Sequence, residues 1–261
     1  MRNLADKLVV VLGETASGKS ALALELAKRF DGEIICADSR TVYRGMDIGT
    51  AKPSDMDQKQ VTHHLLDILA PDETFNVGEF KRLATQTIDD VLSRGRLPIL
   101  VGGTGLYIDA VLFDYQFSPP GARRKLQNLR HLKYQEHKAY KNNLRPNTLV
   151  VGLDLSKGKR KDRITKRIAD MFARGLLEEV KSLAQTYGWS APGLNTIGYR
   201  EFESYFMGEQ TLEETAALVE RNTILYAKRQ RTWFRRNNSI HWLDDPRDAV
   251  DLVTTFLNKK Q

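Results

Sequence analysis

The eight residues 13–20 read GETASGKS, a match to the pattern Gly-x-x-x-x-Gly-Lys-Ser/Thr. Backbone N–H groups around such glycines converge on phosphate oxygens. The lysine adds a point charge, and the terminal hydroxyl suits Mg²⁺. Gly13 and Gly18 supply the turns, Thr15, Ala16 and Ser17 the amides between them, Lys19 the charge and Ser20 the expected metal ligand. A loop of this kind binds a diphosphate; it leaves open which one, and whether a phosphoryl group moves. Asp38 follows the apolar run 32–37, and Thr104 follows the Gly-Gly pair 102–103. In parallel sheets ligands gather at the carboxyl ends of strands, so both side chains are expected at the crevice that holds the phosphate loop. A P-loop with a neighbouring acid and hydroxyl is the equipment of a nucleotide-binding kinase, which is the first reading.

These residues must be held by elements, and the apolar patterning supplies them. Residues 7–12 (KLVVVL), 32–38 (GEIICAD), 97–103 (LPILVGG) and 148–155 (TLVVGLDL) are short buried strands. Helical spacing follows the phosphate loop and recurs over 76–96, where Asn76 is the expected cap, over 161–186 and over 211–236. The last begins with a Thr211–Glu214 capping box. Residues 39–75, rich in Gly, Pro and Asp, are expected to form a loop-dominated excursion. Strand alternating with helix specifies an α/β fold: a P-loop NTPase-like parallel sheet flanked by helices. The breaker QFSPPG at 116–121 and the basic stretch after it divide the chain. Residues 1–117 and 148–261 form the catalytic core, and 118–147 a small basic helical insertion.

Composition narrows the partners. The chain has 261 residues, one cysteine and a net charge of +7. Residues 121–167 carry 15 basic and 3 acidic side chains, against 13 and 17 before them and 12 and 13 after. Such a block attracts polyanions by counterion release. On the last helix Arg221, Lys228, Arg231 and Arg235 fall on one face and give a second basic stripe. Cys36 alone makes neither a disulfide nor a zinc cluster, and the N-terminal apolar run is too short for a signal peptide. No stretch has the length of a membrane span. A soluble, cytoplasmic monomer is expected.

Several strings together resemble one family. GETASGKS, ADSRTVYRGMDIGTAKP (37–53), HHLLDI (63–68), PILVGGTGLY (98–107), DRITKRIADMFARGLLEEV (162–180), TIGYREF (196–202) and YAKRQRTWFRR (226–236) are similar in order and spacing to tRNA dimethylallyltransferases. The resemblance implies transfer of a dimethylallyl group from dimethylallyl diphosphate to the exocyclic amine of the adenine 3′ of the tRNA anticodon, with diphosphate released. It makes the chain a prenyltransferase in tRNA modification, with Mg²⁺ as cofactor and the prenyl diphosphate as co-substrate. It makes Asp38 the general base, and places Thr104 and Arg163 at the donor phosphates, with Arg167 one helical turn on. It assigns RNA contacts to Asp38, Ser39, Arg40, Thr41, Thr104, Arg123, Gly198, Tyr199 and Arg200, and the basic stripe of the last helix adds Lys228 and Arg231 as expected RNA contacts. His63 and His64 are read as turn or packing residues.

The segment from Thr104 to Arg163 is shorter than in bacterial members, and, with one cysteine, no eukaryotic-type zinc-finger extension is expected. Three alternatives stay open: prenyl transfer to a free adenine nucleotide as in cytokinin-forming relatives, a catalytically inactive RNA-binding relative, and a plain P-loop kinase.

Overall fold

The computed structural model describes residues 4, 6–117, 144–154 and 157–259, with the side chain of residue 157 excepted. The expected insertion at 118–147, including Arg123, lies almost wholly outside the described residues.

Six parallel strands form one sheet in the order β3-β2-β4-β1-β5-β6. They are β1 (Leu8–Gly13), β2 (Gly32–Ala37), β3 (His63–His64), β4 (Leu97–Gly102), β5 (Thr148–Leu153) and β6 (Ile240–Leu243). The four long apolar runs become β1, β2, β4 and β5. Every residue of β1, β2 and β4 is buried, because helices cover both faces of the sheet and leave no polar side to alternate with. Val9 and Val11 point to one face, against α1 (Lys19–Phe30) and α9 (Asp248–Asn258). Val10 and Leu12 point to the other, against α3 (Val77–Ser93) and α4 (Gly105–Leu112).

The helix starts follow the sequence closely. Asn76 accepts from Gly78 N and Glu79 N while Glu79 reaches back, and Thr211 and Glu214 do the same for the long helix α8 (Leu212–Phe234). The 161–186 expectation is corrected: the chain forms two helices, α5 (Lys157–Ala173) and α6 (Leu176–Tyr187), separated at Gly175, whose φ is 97°. A left-handed residue ends one helical path and begins another. The 39–75 excursion is mostly irregular but contains the capped turn α2 (Asp55–Gln60) and the edge strand β3. The short helix α7 (Glu203–Phe206) follows a 3₁₀ turn at Arg200–Phe202. Residues 42–46, α5, α6, 191–202 and α8 share a third apolar cluster, which forms a lobe over the carboxyl ends of β1, β2 and β4. No helix among the described residues is long and apolar enough to cross a membrane.

Candidate active site

Between that lobe and the sheet lies a cavity of about 480 Å³, lined in part by Lys19, Asp38, Thr104, Arg167 and Tyr226. The volume is in the range of small-molecule sites. The phosphate loop forms its floor. Ala16 (φ 63°) and Gly18 (φ 98°) are both left-handed, and α1 begins without a side-chain cap. Its first-turn N–H groups are therefore left for a ligand in front of the helix, where the helix dipole favours an anion. Gly13 is needed for close approach: a Cβ there would stand 2.7 Å from Ser17 Oγ. Ser17 Oγ itself is buried without a partner.

Lys19 Nζ donates to Glu14 O at 3.3 Å. Burial, and next the Arg167 charge, press its pKa down to about 8, while Asp38 and Glu14 oppose that shift. The charge of Lys19 is thus incompletely compensated by the groups around it. The Glu14 carboxylate is buried against Arg160, and burial raises its pKa while Arg160 opposes the rise.

Asp38 stands at the end of β2, with Oδ1 accepting from Arg40 N at 2.9 Å. The Thr104 hydroxyl accepts from Ser39 N at 3.1 Å and faces Tyr226, so the Asp38 carboxylate and the Thr104 hydroxyl sit on one connected turn. The two arginines divide. Arg163 donates to Ser17 O at 3.2 Å and braces the loop from outside. Arg167 lines the cavity itself, where burial lowers its pKa and Asp38 opposes that. Ser20 lines the cavity too. No cluster of three or more His, Cys, Asp or Glu that could hold a metal exists among the described residues. One hydroxyl plus phosphate oxygens and water is nonetheless a donor set that fits Mg²⁺, which retains its waters.

Of the residues expected at RNA, Asp38, Ser39, Arg40, Thr41, Thr104, Gly198 and Arg200 line this cavity. Thr41 Oγ1 is buried without a partner. Lys228 is exposed on α8. Tyr199, also expected at RNA, has a fully buried ring, and its hydroxyl donates to Glu179 Oε1 at 2.7 Å. On the basic stripe Arg231 and Arg235, both partly exposed, share a pairing with Asp154. His63 and His64 form the edge strand; His63 lines the cavity and His64 lies 2.6 Å from Glu33.

Three functional features escaped the sequence. Gln230, inside a run of basic residues, contacts the phosphate loop. Tyr226, one turn earlier, reaches Thr104. The third is the origin of the MDIGTAKP string. The Glu179 carboxylate accepts from the N–H groups of Asp47 (3.0 Å), Ile48 (2.8 Å) and Gly49 (3.0 Å). Gly49 packs so closely on Tyr199 that a Cβ would lie 2.6 Å from the ring. Lys52, buried, ties Asp47, Asp67 and Tyr43 O together. The string is a strap whose far side, Thr50 to Pro53, walls the cavity. A glutamate two-thirds of the way along the chain was the only outward sign of its anchor.

The family model for IPP transferase matches residues 41–145 and 128–237. A tRNA dimethylallyltransferase of Acetivibrio thermocellus is 37% identical over 287 aligned positions, covering 92% of each chain. Two solved structures align with TM-scores of 0.84. One is a tRNA delta(2)-isopentenylpyrophosphate transferase of Staphylococcus epidermidis, 32% identical over 97% of this chain and 99% of its own. The other is the tRNA isopentenylpyrophosphate transferase of Bacillus halodurans, 35% identical over 97% of both. With a P-loop at its floor and these relatives across nearly its whole length, the chain belongs to the IPP transferase family, the tRNA dimethylallyltransferases.

Proposed function

We propose that the protein transfers the dimethylallyl group of dimethylallyl diphosphate to the exocyclic amine of the adenine 3′-adjacent to the anticodon of tRNA and releases diphosphate. The observation that carries the reading is one cavity in which a P-loop lysine, the Asp38 carboxylate and the Thr104 hydroxyl meet. The loop amides and Lys19 hold the donor diphosphate, and Arg167 extends the positive wall. As the amine attacks the first prenyl carbon, the carbon–oxygen bond breaks and charge grows on the leaving diphosphate, where these donors stabilise it. Asp38 accepts the proton the amine loses as its nitrogen forms the new bond. Ser20, together with the donor phosphates, would hold Mg²⁺, which when bound would add charge neutralisation on the leaving group.

The adenine leaves its stack to enter the cavity. Arg40 and Arg200 at the lining, Lys228 on α8 and the 121–167 block including Arg123 hold the RNA backbone. The alignment of 287 positions exceeds the 261 residues of the chain, and the two family matches overlap at 128–145. The first accords with a shortened insertion in this chain. The enzyme works as a cytoplasmic monomer.

The test incubates the protein with labelled dimethylallyl diphosphate and Mg²⁺, offering unmodified tRNA or AMP. Label in tRNA alone is expected. Label in AMP alone moves the protein to the cytokinin-forming class, and label in neither overturns the transfer reading.

A further inference from the structure

β1 and β4 are neighbours, and their ladder ends at the Leu12–Gly102 pair. Beyond it one chain enters the phosphate loop and the other turns through Gly103 to Thr104. Among the described residues no backbone hydrogen bond joins 14–18 to 103–105. Gln230, only 5% exposed, stands in that gap. Its Oε1 accepts from Thr15 N at 2.8 Å and from the Thr15 hydroxyl at 3.1 Å, and its Nε2 donates to Gly103 O at 2.8 Å. A carboxamide carries the same acceptor and donor as a peptide group. Gln230 thus acts as one more rung of the sheet, laid across two strands that have already separated.

The fit is close on both sides. A Cβ at Gly103 would lie 2.3 Å from Gln230 Nε2. Tyr226, four residues earlier on α8, lies beside both Thr104 and Gln230, so one helical turn faces the loop, the glycine turn and the hydroxyl. No other side-chain type substitutes simply. Ionised Glu has no donor for the Gly103 carbonyl, and Leu leaves a buried N–H and C=O unpaired.

We propose that Gln230 is a positioning residue that fixes the spacing between the diphosphate loop and the Thr104 turn. The inference rests on the transfer reading above. Because the Thr15 amide is taken up by Gln230, the phosphate cradle is built from the amides that follow it. Misplacement by about 1 Å costs on the order of 100-fold in rate.

The test compares wild type with Gln230→Leu, Gln230→Glu and Gly103→Ala. Each is measured for kcat, for KM towards both substrates, for folded fraction by circular dichroism, and for binding of inorganic diphosphate with Mg²⁺ by calorimetry. Expected are a fall in kcat of about 10- to 100-fold, a rise in donor KM of about tenfold, an unchanged tRNA KM, and diphosphate affinity weakened about tenfold. Gly103→Ala, which displaces the carboxamide without altering it, follows the same pattern. Wild-type rates in Gln230→Leu, or a kcat loss equal to the lost folded fraction with both KM values unchanged, overturn the proposal. If Gln230→Leu does not fold, Gln230→Glu and Gly103→Ala carry the same comparison. Should wild type transfer no label to tRNA, the transfer reading fails while calorimetry still decides Gln230: undiminished diphosphate affinity in the folded variants overturns its role.

Discussion

Replacing Glu179 by Gln exchanges one carboxylate oxygen for an NH₂ and keeps the shape, yet it should loosen a wall of the cavity. The carboxylate accepts four hydrogen bonds, from three successive backbone amides and the Tyr199 hydroxyl. A carboxamide has one accepting oxygen. In its best orientation that oxygen serves Asp47 and Ile48, the NH₂ donates to a reversed Tyr199 hydroxyl, and Gly49 N–H is left without an acceptor. Bonds to a charged group contribute about 1.5–3 kcal/mol each and neutral ones about 0.5–1.5, while an orphaned donor costs about 1–3. Because the site is half-buried, the lower ends apply, and the sum is about 4 kcal/mol. In a chain of this size that lowers Tm by about 8–16 °C. Thermal melting by circular dichroism reads this directly. Tyr199→Phe, which leaves the three amide bonds, should cost about 1 kcal/mol. The same strap carries Thr50, whose carbonyl Arg167 approaches at 3.4 Å, so the donor KM should rise in Glu179→Gln. Melting within 3 °C of wild type together with an unaltered donor KM would refute the anchoring argument.

Other perturbations probe the chemistry and the charge. Asp38→Ala should lower kcat by about 10²- to 10⁴-fold while diphosphate binding persists; unchanged turnover removes Asp38 as the base. With its pKa at about 8, Lys19 loses its charge in the free protein as pH rises above that value, so diphosphate affinity should fall by up to about tenfold per pH unit there. A flat profile to pH 10, or the same fall in Lys19→Ala, contradicts this. The Arg94 hydrogen bond holds Glu33 at about 2, below its ordinary 4.5, with the His64 contact acting in the same direction. The pairing therefore contributes stability in full above about pH 4.5 and loses it as pH falls towards 2. Glu33→Gln should flatten acid unfolding across that window, and an unchanged acid limb would count against the pairing. Neutralising Arg123, Arg124 and Lys125 should reduce the salt slope of tRNA binding, by roughly 0.7–0.9 for each phosphate no longer neutralised; an identical slope makes the block an ordinary solvated face.

What the sequence made legible was local. The phosphate loop, the capping boxes at Asn76 and Thr211, and the runs that became β1, β2, β4 and β5 are each decided by residues within a few positions of one another. What escaped it was decided at long range. Gln230 meets Thr15 across 215 residues, and in a string of arginines and lysines it reads as one more solvated side chain. Tyr199 sits among residues similar to an RNA-contacting segment, but Glu179, twenty positions away, takes its hydroxyl inward. Arg163 and Arg167 lie one helical turn apart, and only the placement of α5 against the loop sends the first outside and the second into the cavity. Gly175 looks like any glycine in a helical stretch until its φ of 97° divides α5 from α6.

The position of β1 has a consequence for how the protein comes into being. It precedes the other described strands of the sheet in sequence and lies inside it, with Val10 paired to Leu100 on one side and Val150 on the other. Every neighbouring pair is parallel, so no hairpin protects an early strand. The nascent chain carries LVVVLG with both edges open until residue 102 is made, and with one edge open until residue 153. Parallel pairings of such separation form slowly and leave adhesive edges exposed. Chains stopped before residue 148 should therefore aggregate during synthesis, and the full-length protein should refold slowly from denaturant even though its native sheet is closed over by helices.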